Sequence, residues 1–460
     1  MRSALLQFIQ DLRASYWFLP SLMVFAAFVL AYATHAIDIR LDPSIMRGFG
    51  PLSVAEPTGA RAILTTIAGS IIGVAGVTFS ITIATVSFAS GNYGPRLIGN
   101  FMRDRGNQVT LGVFIGTFVY CLLVLGTVRD ASGVEDGYEV FVPYLSLLVT
   151  LMLAILSIAM LIYFFHHVPE SIDIQHLTTE IGRELREDVR RLFPNDYDGE
   201  EPAHGVPEAF DVACAGRQRR RVTAGKDGYI TTIAVRQIEE IAAEKDLLID
   251  LQYRPGDFIT REDVLMDVYT NKDDPLSEDA LARLQGTFSV GQQRTPEQNV
   301  LFLVDTLVEI AARALSPGIN DPQTAIACFD WLRAGANGFG KKENEDSTSP
   351  LRVRISEVTF ADFIDRAFRR SRPYAAADRN AALHLVTVLT EIAAFLPEGE
   401  RRDLVIKELR MLRDETLALN PNARWAGEFQ ERFNEAEAAL ASGDAREALR
   451  NTPNWFGGRG

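Results

Sequence analysis

The chain has 460 residues and a mass of 50.9 kDa, with 46 Lys and Arg against 60 Asp and Glu and a formal net charge of −14. The length points to two or three domains, and the acidic balance excludes a nucleic-acid binder, which needs basic surface to neutralise phosphates. Cys121, Cys214 and Cys328, odd in number and far apart, exclude a disulfide framework and a cysteine-based zinc site.

The charge is divided unevenly. Residues 1–165 hold nine basic and nine acidic side chains, whereas the rest of the chain holds 37 and 51, so the whole imbalance lies there. Four long apolar stretches occupy the neutral part, at residues 16–36, 62–95, 107–128 and 140–165. A bilayer core of roughly 30 Å needs about 20 helical residues, and each stretch meets that. The first is longer than the ~7–15 apolar residues of a cleaved signal peptide and begins with Tyr16 and Trp17, suited to a membrane interface. It reads as an anchor.

Short connections set the expected orientation. Arg96, Arg103 and Arg105 stand against Asp104 between the second and third stretches. Arg129 stands against Asp130, Glu135, Asp136 and Glu139 between the third and fourth. With Arg2 and Arg13 ahead of the first, the positive-inside rule predicts both termini in the cytoplasm. Isolated cysteines in the acidic half agree with a reducing compartment.

The second stretch is rich in small residues. Gly69 with Gly73, and Gly76 with Ser80, form small-xxx-small steps of the kind that let helices approach closely in lipid. Ser70 adds to this composition, and Thr78, Thr82 and Thr85 make a second, polar stripe. Two readings stand: packing inside one four-helix unit, or a helix lining a water-filled path among copies of itself. A Gly- and Pro-rich break follows, with Asn92, Tyr93, Pro95 and Arg96 as a hinge or intracellular mouth. The third stretch carries its own Gly112-xxx-Gly116 step. The second, third and fourth stretches lack a central ionisable group, which argues against a proton-coupled carrier. His166 and His167 read as interfacial residues, and with His176 they lack the carboxylate–histidine spacing that would make a metal site.

Beyond the apolar part, Ile172, Leu177, Ile181, Leu185 and Val189 predict a connecting helix, and 166–227 reads as that helix plus a loop. The basic run at 217–221 (RQRRR) is a solvated strand or loop, or a contact with anionic lipid. Residues 228–295 read as a small β module: a strand at 229–233, a helix at 235–244, and strands at 247–253 and 264–269. GDFITREDVLMDV resembles the turn and strand of biotinyl/lipoyl-type barrel-sandwich folds, without their lysine attachment site. Residues 296–445 read as mostly helical, with a strand at 351–358 leading into helices at 360–370, 376–395 and 399–418. Pro296 opens one helix, Ser316, Pro317 and Gly318 end it, and past Asn320 a second helix starts with Asp321 as cap and Pro322 at its first position. That tight loop is an ordinary turn, or a site for an anion, a cation or a cytosolic protein partner. GANGFGKK at 335–342 nearly matches a phosphate-binding loop, but Lys342 replaces the hydroxyl residue that would hold magnesium, so it reads as a surface loop. Arg366, Arg369, Arg370 and Arg372 form a basic cluster, either a solvated face or a dock for an acidic partner. The last forty residues read as a final helical hairpin or a loosely held tail, with 446–460 taken as flexible. No catalytic, cofactor-binding or metal motif is readable.

Two stretches carry a family resemblance: FSITIATVSFASGNYGPRLIGNFMRDRGNQVTLGVFIGTFVY at 79–120 and LVEIAARALSPGINDPQTA at 307–325. The chain resembles, over about residues 10–420, the bacterial family of uncharacterised predicted membrane proteins called domain of unknown function 2254. Gly91, Asn92, Tyr93 and Gly94 replace a more polar Gln-Phe-Ser type of sequence in that family. The resemblance implies membrane location and fold, with no established activity. The expected architecture is thus an α-helical integral membrane domain of four transmembrane helices, followed by a mixed α+β cytosolic domain. The expected function is a homo-oligomeric channel or pore-like protein with a cytosolic assembly or gating domain. The alternative is a non-conducting membrane scaffold or sensor for a cytosolic partner.

Overall fold

A computed structural model describes residues 17–40, 56–93, 104–129, 140–192, 207–271, 276–339, 352–356, 358–453 and 455. The chain divides into two compact units, Met1–Leu177 and Thr178–Gly460.

The first unit is helical: α1 (Phe18–Asp38), α2 (Pro57–Tyr93), α3 (Arg105–Leu125) and α4 (Tyr144–Ile172). All four are long and apolar enough to cross a membrane. α3 is the central helix. Its apolar window is 56% buried, against 22% for each of the others, and it packs on all three. The interior is built largely of small and medium side chains, among them Ala27, Ala31, Ala60, Ala68, Leu64, Cys121 and Leu147. Large apolar groups point outward instead: Phe25, Phe28, Ile83, Phe88, Ile155, Ile162 and Phe165 are all at least half exposed. In water such a surface would drive aggregation; in lipid it is the ordinary exterior.

Several polar groups in this unit bond internally, as a lipid environment would demand, whereas the Asn107 side chain is buried without a hydrogen-bond partner among the described residues. Asp38, two residues past the first apolar stretch, is the last residue of α1. Its carboxylate accepts the backbone N–H groups of Leu145 (2.8 Å) and Ser146 (3.0 Å) and the Ser146 hydroxyl (2.6 Å). One helix end thereby caps the start of another, satisfying donors that α4 cannot satisfy itself. The Tyr120 hydroxyl lies 2.9 Å from Thr34 Oγ1 and donates to Ser146 O at 3.3 Å. α2 differs from its expected limits. It begins at Pro57, a residue type suited to a first helical turn, and continues through Gly91 to Tyr93, where the sequence predicts a break. Proline disfavours helix at the residue just before it, so Pro95 leaves Tyr93 unconstrained. Pro95 and Arg96 lie outside the described residues.

The second unit opens with most of α5 (Ile174–Leu192), which buries Ile181, Leu185 and Val189 at the predicted four-residue spacing. After α6 (Pro207–Cys214) come β1 (Gln218–Thr223), β2 (Gly228–Ile233), α7 (Val235–Glu244), β3 (Leu248–Leu251), β4 (Phe258–Ile259), β5 (Val264–Thr270), α8 (Glu278–Gln285) and β6 (Phe288–Gly291). These form a four-stranded sheet ordered β1-β5-β3-β7 and a three-stranded sheet ordered β4-β2-β6, where β7 is Val353–Arg354. One core serves both sheets, with Ile230, Ile249, Met266, Val268 and Phe288 packed beside Ile238 and Ile241 of α7. The sheets therefore draw strands from both sides of 228–295. The basic run at 217–221 falls mainly in β1, an edge strand whose side chains are exposed except Val222.

The rest is helical: α9 (Val300–Ala314), α10 (Pro322–Phe339), α11 (Phe360–Ile364) running into a π-turn at Asp365–Arg369, α12 (Arg372–Ala375), α13 (Arg379–Phe395), α14 (Glu400–Leu419), α15 (Ala426–Leu440) and α16 (Ala445–Asn451). α13 is buried along Leu385, Val386, Leu389 and Ile392 and packs on α10, α14 and α15. Two expectations are corrected here. The surface loop expected at 335–342 is, over Gly335 to Phe339, the last turn and more of α10. Gly335 and Ala336 are buried, and a Cβ on Gly335 would come within 3.0 Å of Phe363 and 3.1 Å of Leu185. Tight packing explains these glycines; phosphate binding does not. The tail expected after 445 contains α16, and Trp455 is buried with the Arg432 guanidinium 3.7 Å over its ring.

Candidate functional site

α2 has two faces of different character. Ala60, Leu64, Ala68, Ile71, Ala75, Thr78, Thr82 and Ala89 recur at helical spacing and are buried against the unit's interior. On another face Ala62, Thr66, Gly69, Gly73, Gly76, Ser80 and Ser87 recur mostly every three or four residues, and all are exposed. A Cβ built on Gly69, Gly73 or Gly76 meets nothing within 4 Å. The glycine step of α3 behaves oppositely. A Cβ on Gly112 would lie 2.4 Å from Met23 Sδ and 3.3 Å from Pro20 Cα, and one on Gly116 would lie 3.5 Å from Met23 O. Close packing inside the unit therefore uses the glycines of α3 against α1. The glycines of α2 have no such partner among the described residues.

The candidate residues of the second stretch thus separate. Gly69, Gly73, Gly76 and Ser80 share the open face, and Ser70 is exposed on its flank. Thr78 and Thr82 are buried, and Thr85 is half-buried. Ser80 Oγ donates to Gly76 O and Thr82 Oγ1 to Thr78 O, both at 2.9 Å, so these hydroxyls are satisfied within the helix. Asn92 and Tyr93 close α2, and their side chains lie outside the described residues.

At one end of α3, Asp104 accepts the Gly106 N–H at 2.9 Å, and its other oxygen lies 2.7 Å from His167 Nε2. His167 stacks on Tyr163 with ring centroids 5.0 Å apart. Gly106 is required at this joint, because a Cβ there would sit 2.7 Å from both His167 Nε2 and Tyr163 Oη. Among the described residues no group of three His, Cys, Asp or Glu is placed to hold a metal ion.

In the second unit, the 316–322 loop is a closed helix connector. Asn320 N donates to Ser316 O (2.9 Å) and Asp321 N to Ala314 O (2.8 Å), with Asn320 at φ +50°. Asp321 caps α10 as the sequence predicts, taking Thr324 N at 3.3 Å and Thr324 Oγ1 at 2.5 Å. Pro322 is the first residue of α10, while Pro317 and Gly318 are exposed and Ser316 is half-buried. Burial pushes the nearby Cys328 thiol far up, as suits a core side chain. The basic cluster is engaged within the chain. Arg294 (3.3 Å), Arg366 (2.7 Å) and Arg370 (3.4 Å) converge on the buried carboxylate of Asp305. Arg372 pairs with Glu408 and Glu415, and Arg369 with Asp365. The sequence shows no sign of Asp305's role, because its three partners lie 11, 61 and 65 residues away.

Comparison with known proteins agrees with this architecture. A family model described as a predicted membrane protein (DUF2254) matches residues 13–391. Uncharacterized proteins of Mycobacterium bovis (strain ATCC BAA-935 / AF2122/97) and Mycobacterium tuberculosis (strain ATCC 25618 / H37Rv) are each 26% identical over 422 residues, covering 89% of this chain and 77% of theirs. No solved structure matches. With the family model extending over most of the chain and its four apolar helices, the protein belongs to the DUF2254 family of predicted membrane proteins.

Proposed function

We propose that this protein is a multi-pass inner-membrane protein that self-assembles through α2 into a pore-like oligomer. Both termini lie in the cytoplasm, and the second unit serves as a cytosolic assembly or gating domain. One observation carries the reading: the small-residue face of α2 is open along the helix while the glycines of α3 are already covered. Lipid chains gain nothing from glycine over leucine, whereas a second helix gains close backbone contact. Ser80 and Ser87 on that face offer hydroxyls to a water-filled path. With no Asp, Glu, Lys or Arg from 62 to 95, the path is passive and carries no proton relay. The basic connection before α3 and the acidic one before α4 support the orientation.

The test is ion flux into liposomes holding the purified protein, together with its native mass in detergent. The reading expects an oligomer and a flux that Gly73→Leu reduces. A monomer that conducts under no tension, voltage or ion gradient contradicts it. The scaffold reading has less support, because the arginines at 366–372 that would dock a partner are engaged by Asp305, Asp365, Glu408 and Glu415.

A further inference from the structure

The second unit contains a groove of about 630 Å³ between α5, α10, α13 and α16. Arg186 and Arg190 of α5, Arg333 of α10, and Arg446 and Arg450 of α16 line it. Among the described residues only two acids join them. Glu391 is paired with Arg333, and Asp330 lies 2.9 Å from His384. Arg446 lies 4.6 Å over the Phe395 ring and donates to the carbonyls of Ala394 (3.3 Å) and Phe395 (3.4 Å). Arg186, Arg190 and Arg450 have no acidic partner among the described residues. Residues 166–460 hold 51 acids against 37 bases, so three unanswered guanidiniums in one groove run against the charge of their surroundings.

The groove is built by close packing. Gly182 of α5 faces the Trp331 indole of α10, where an added Cβ would lie 2.1 Å from Cδ2, and Gly338 of α10 faces Val189 of α5, where it would lie 2.7 Å from Cγ1. Such contacts bring the two backbones together and set Arg186 and Arg190 beside Arg333 and Asn337. Asn337 also lines the groove, and its side-chain oxygen is buried without a hydrogen-bond partner. Amide oxygen and nitrogen are interchangeable in assignment, so this buried end can equally donate. Phe395 and Leu449 contribute apolar wall. A volume of this size suits a small molecule. Guanidinium forks match phosphate oxygens two at a time.

We propose that this groove binds a phosphorylated anion carrying at least two negative charges. Both a soluble phosphate ester and an anionic lipid headgroup present that chemistry. The test is calorimetric titration of the full-length protein in neutral detergent, near physiological salt, with ADP, with dihexanoyl phosphatidic acid, and with malate as a dicarboxylate control. We expect saturable binding of a phosphorylated probe, weakened by ~10-fold or more in the Arg190→Gln/Arg450→Gln double variant, since charge-assisted bonds are lost. Arg191→Gln alters a cation paired with Glu187 and Asp188 away from the groove, and leaves binding unchanged. ADP binding identifies a soluble ligand, and phosphatidic acid binding identifies a headgroup. Absence of saturable binding by both phosphorylated probes, equal binding by the double variant, or malate binding as tight as theirs overturns the proposal. Because Arg190 and Arg450 are exposed, both changes are compatible with folding, checked by an unaltered unfolding transition.

Discussion

At the start of α11, Thr359 and Asp362 exchange bonds as a capping box. Asp362 N donates to Thr359 Oγ1 at 3.0 Å, and Thr359 N donates to Asp362 Oδ2 at 3.1 Å. The same carboxylate takes Arg254 Nη1 at 2.9 Å. Burial by itself would raise this carboxyl, but Arg254 and the bonds from Thr359 outweigh it and hold it below its ordinary value of 3.8. A depressed carboxyl stabilises the fold above its unfolded value and loses that stabilisation as pH falls through the folded one. Asp362→Asn keeps an amide oxygen to accept the Thr359 N–H and removes only the charge, so it costs about 0.5 kcal/mol at neutral pH, because solvent screens the half-exposed pair with Arg254. Thermal unfolding from pH 7 down to pH 3 checks the sign: the gap to wild type narrows as the medium acidifies. At Gly182, the cause is steric. Gly182→Ala drives a methyl group into the Trp331 ring, an overpacking that costs about 1–3 kcal/mol, read as a lower urea midpoint at unchanged slope.

Helices in the first unit carry small residues in two settings, covered on α3 and open on α2. Gly112→Leu places a branched side chain against Met23 and the backbone at Pro20. It disrupts the packing of α1 on α3, and the variant loses its thermal transition in detergent. Gly73→Leu meets open space; it keeps the wild-type transition and loses the oligomer. Similar behaviour of the two variants would remove the distinction on which the assembly face rests. Both glycine steps are visible in the sequence, but which is used inside the unit depends on where α1 comes to lie. The same holds for Thr78 and Thr82, a polar stripe that the sequence leaves open between helix packing and a water-filled path, and that is found buried. α10 supplies a further case. Its Gly335 and Gly338 look like loop residues until Leu185 and Val189, some 150 residues earlier, are seen pressing against them.

For the whole molecule, the sequence is most legible where one physical requirement acts on a continuous segment. About 20 uncharged residues in a row are what a bilayer demands, and the four stretches at 16–36, 62–95, 107–128 and 140–165 became α1 to α4 with ends displaced by a few residues. Asp38 shows why the ends move: a charge that looks like loop is consumed as the cap of a distant helix. The β module is legible in its local parts, α7 among them, but β1 and β7 come from either side of it, and strand pairing over such separations leaves no local pattern. The arginine groove is less legible still, because its five cations come from three helices separated along the chain by more than a hundred residues. Topology is a separate test at this scale. Labelling of single cysteines should place residue 130 outside and residue 200 in the cytoplasm; the reverse pattern contradicts the proposed orientation.

Cysteine cross-linking along α2 tests the central claim most directly. In a chain with Cys121, Cys214 and Cys328 replaced, single cysteines at positions 69 to 80 are oxidised in native membranes. The account predicts disulfide-linked dimers at Gly69, Gly73, Gly76 and Ser80, with little at the outward-facing Val77 and Phe79. Cross-links that show no such periodicity, or that fail at all four small positions, contradict it.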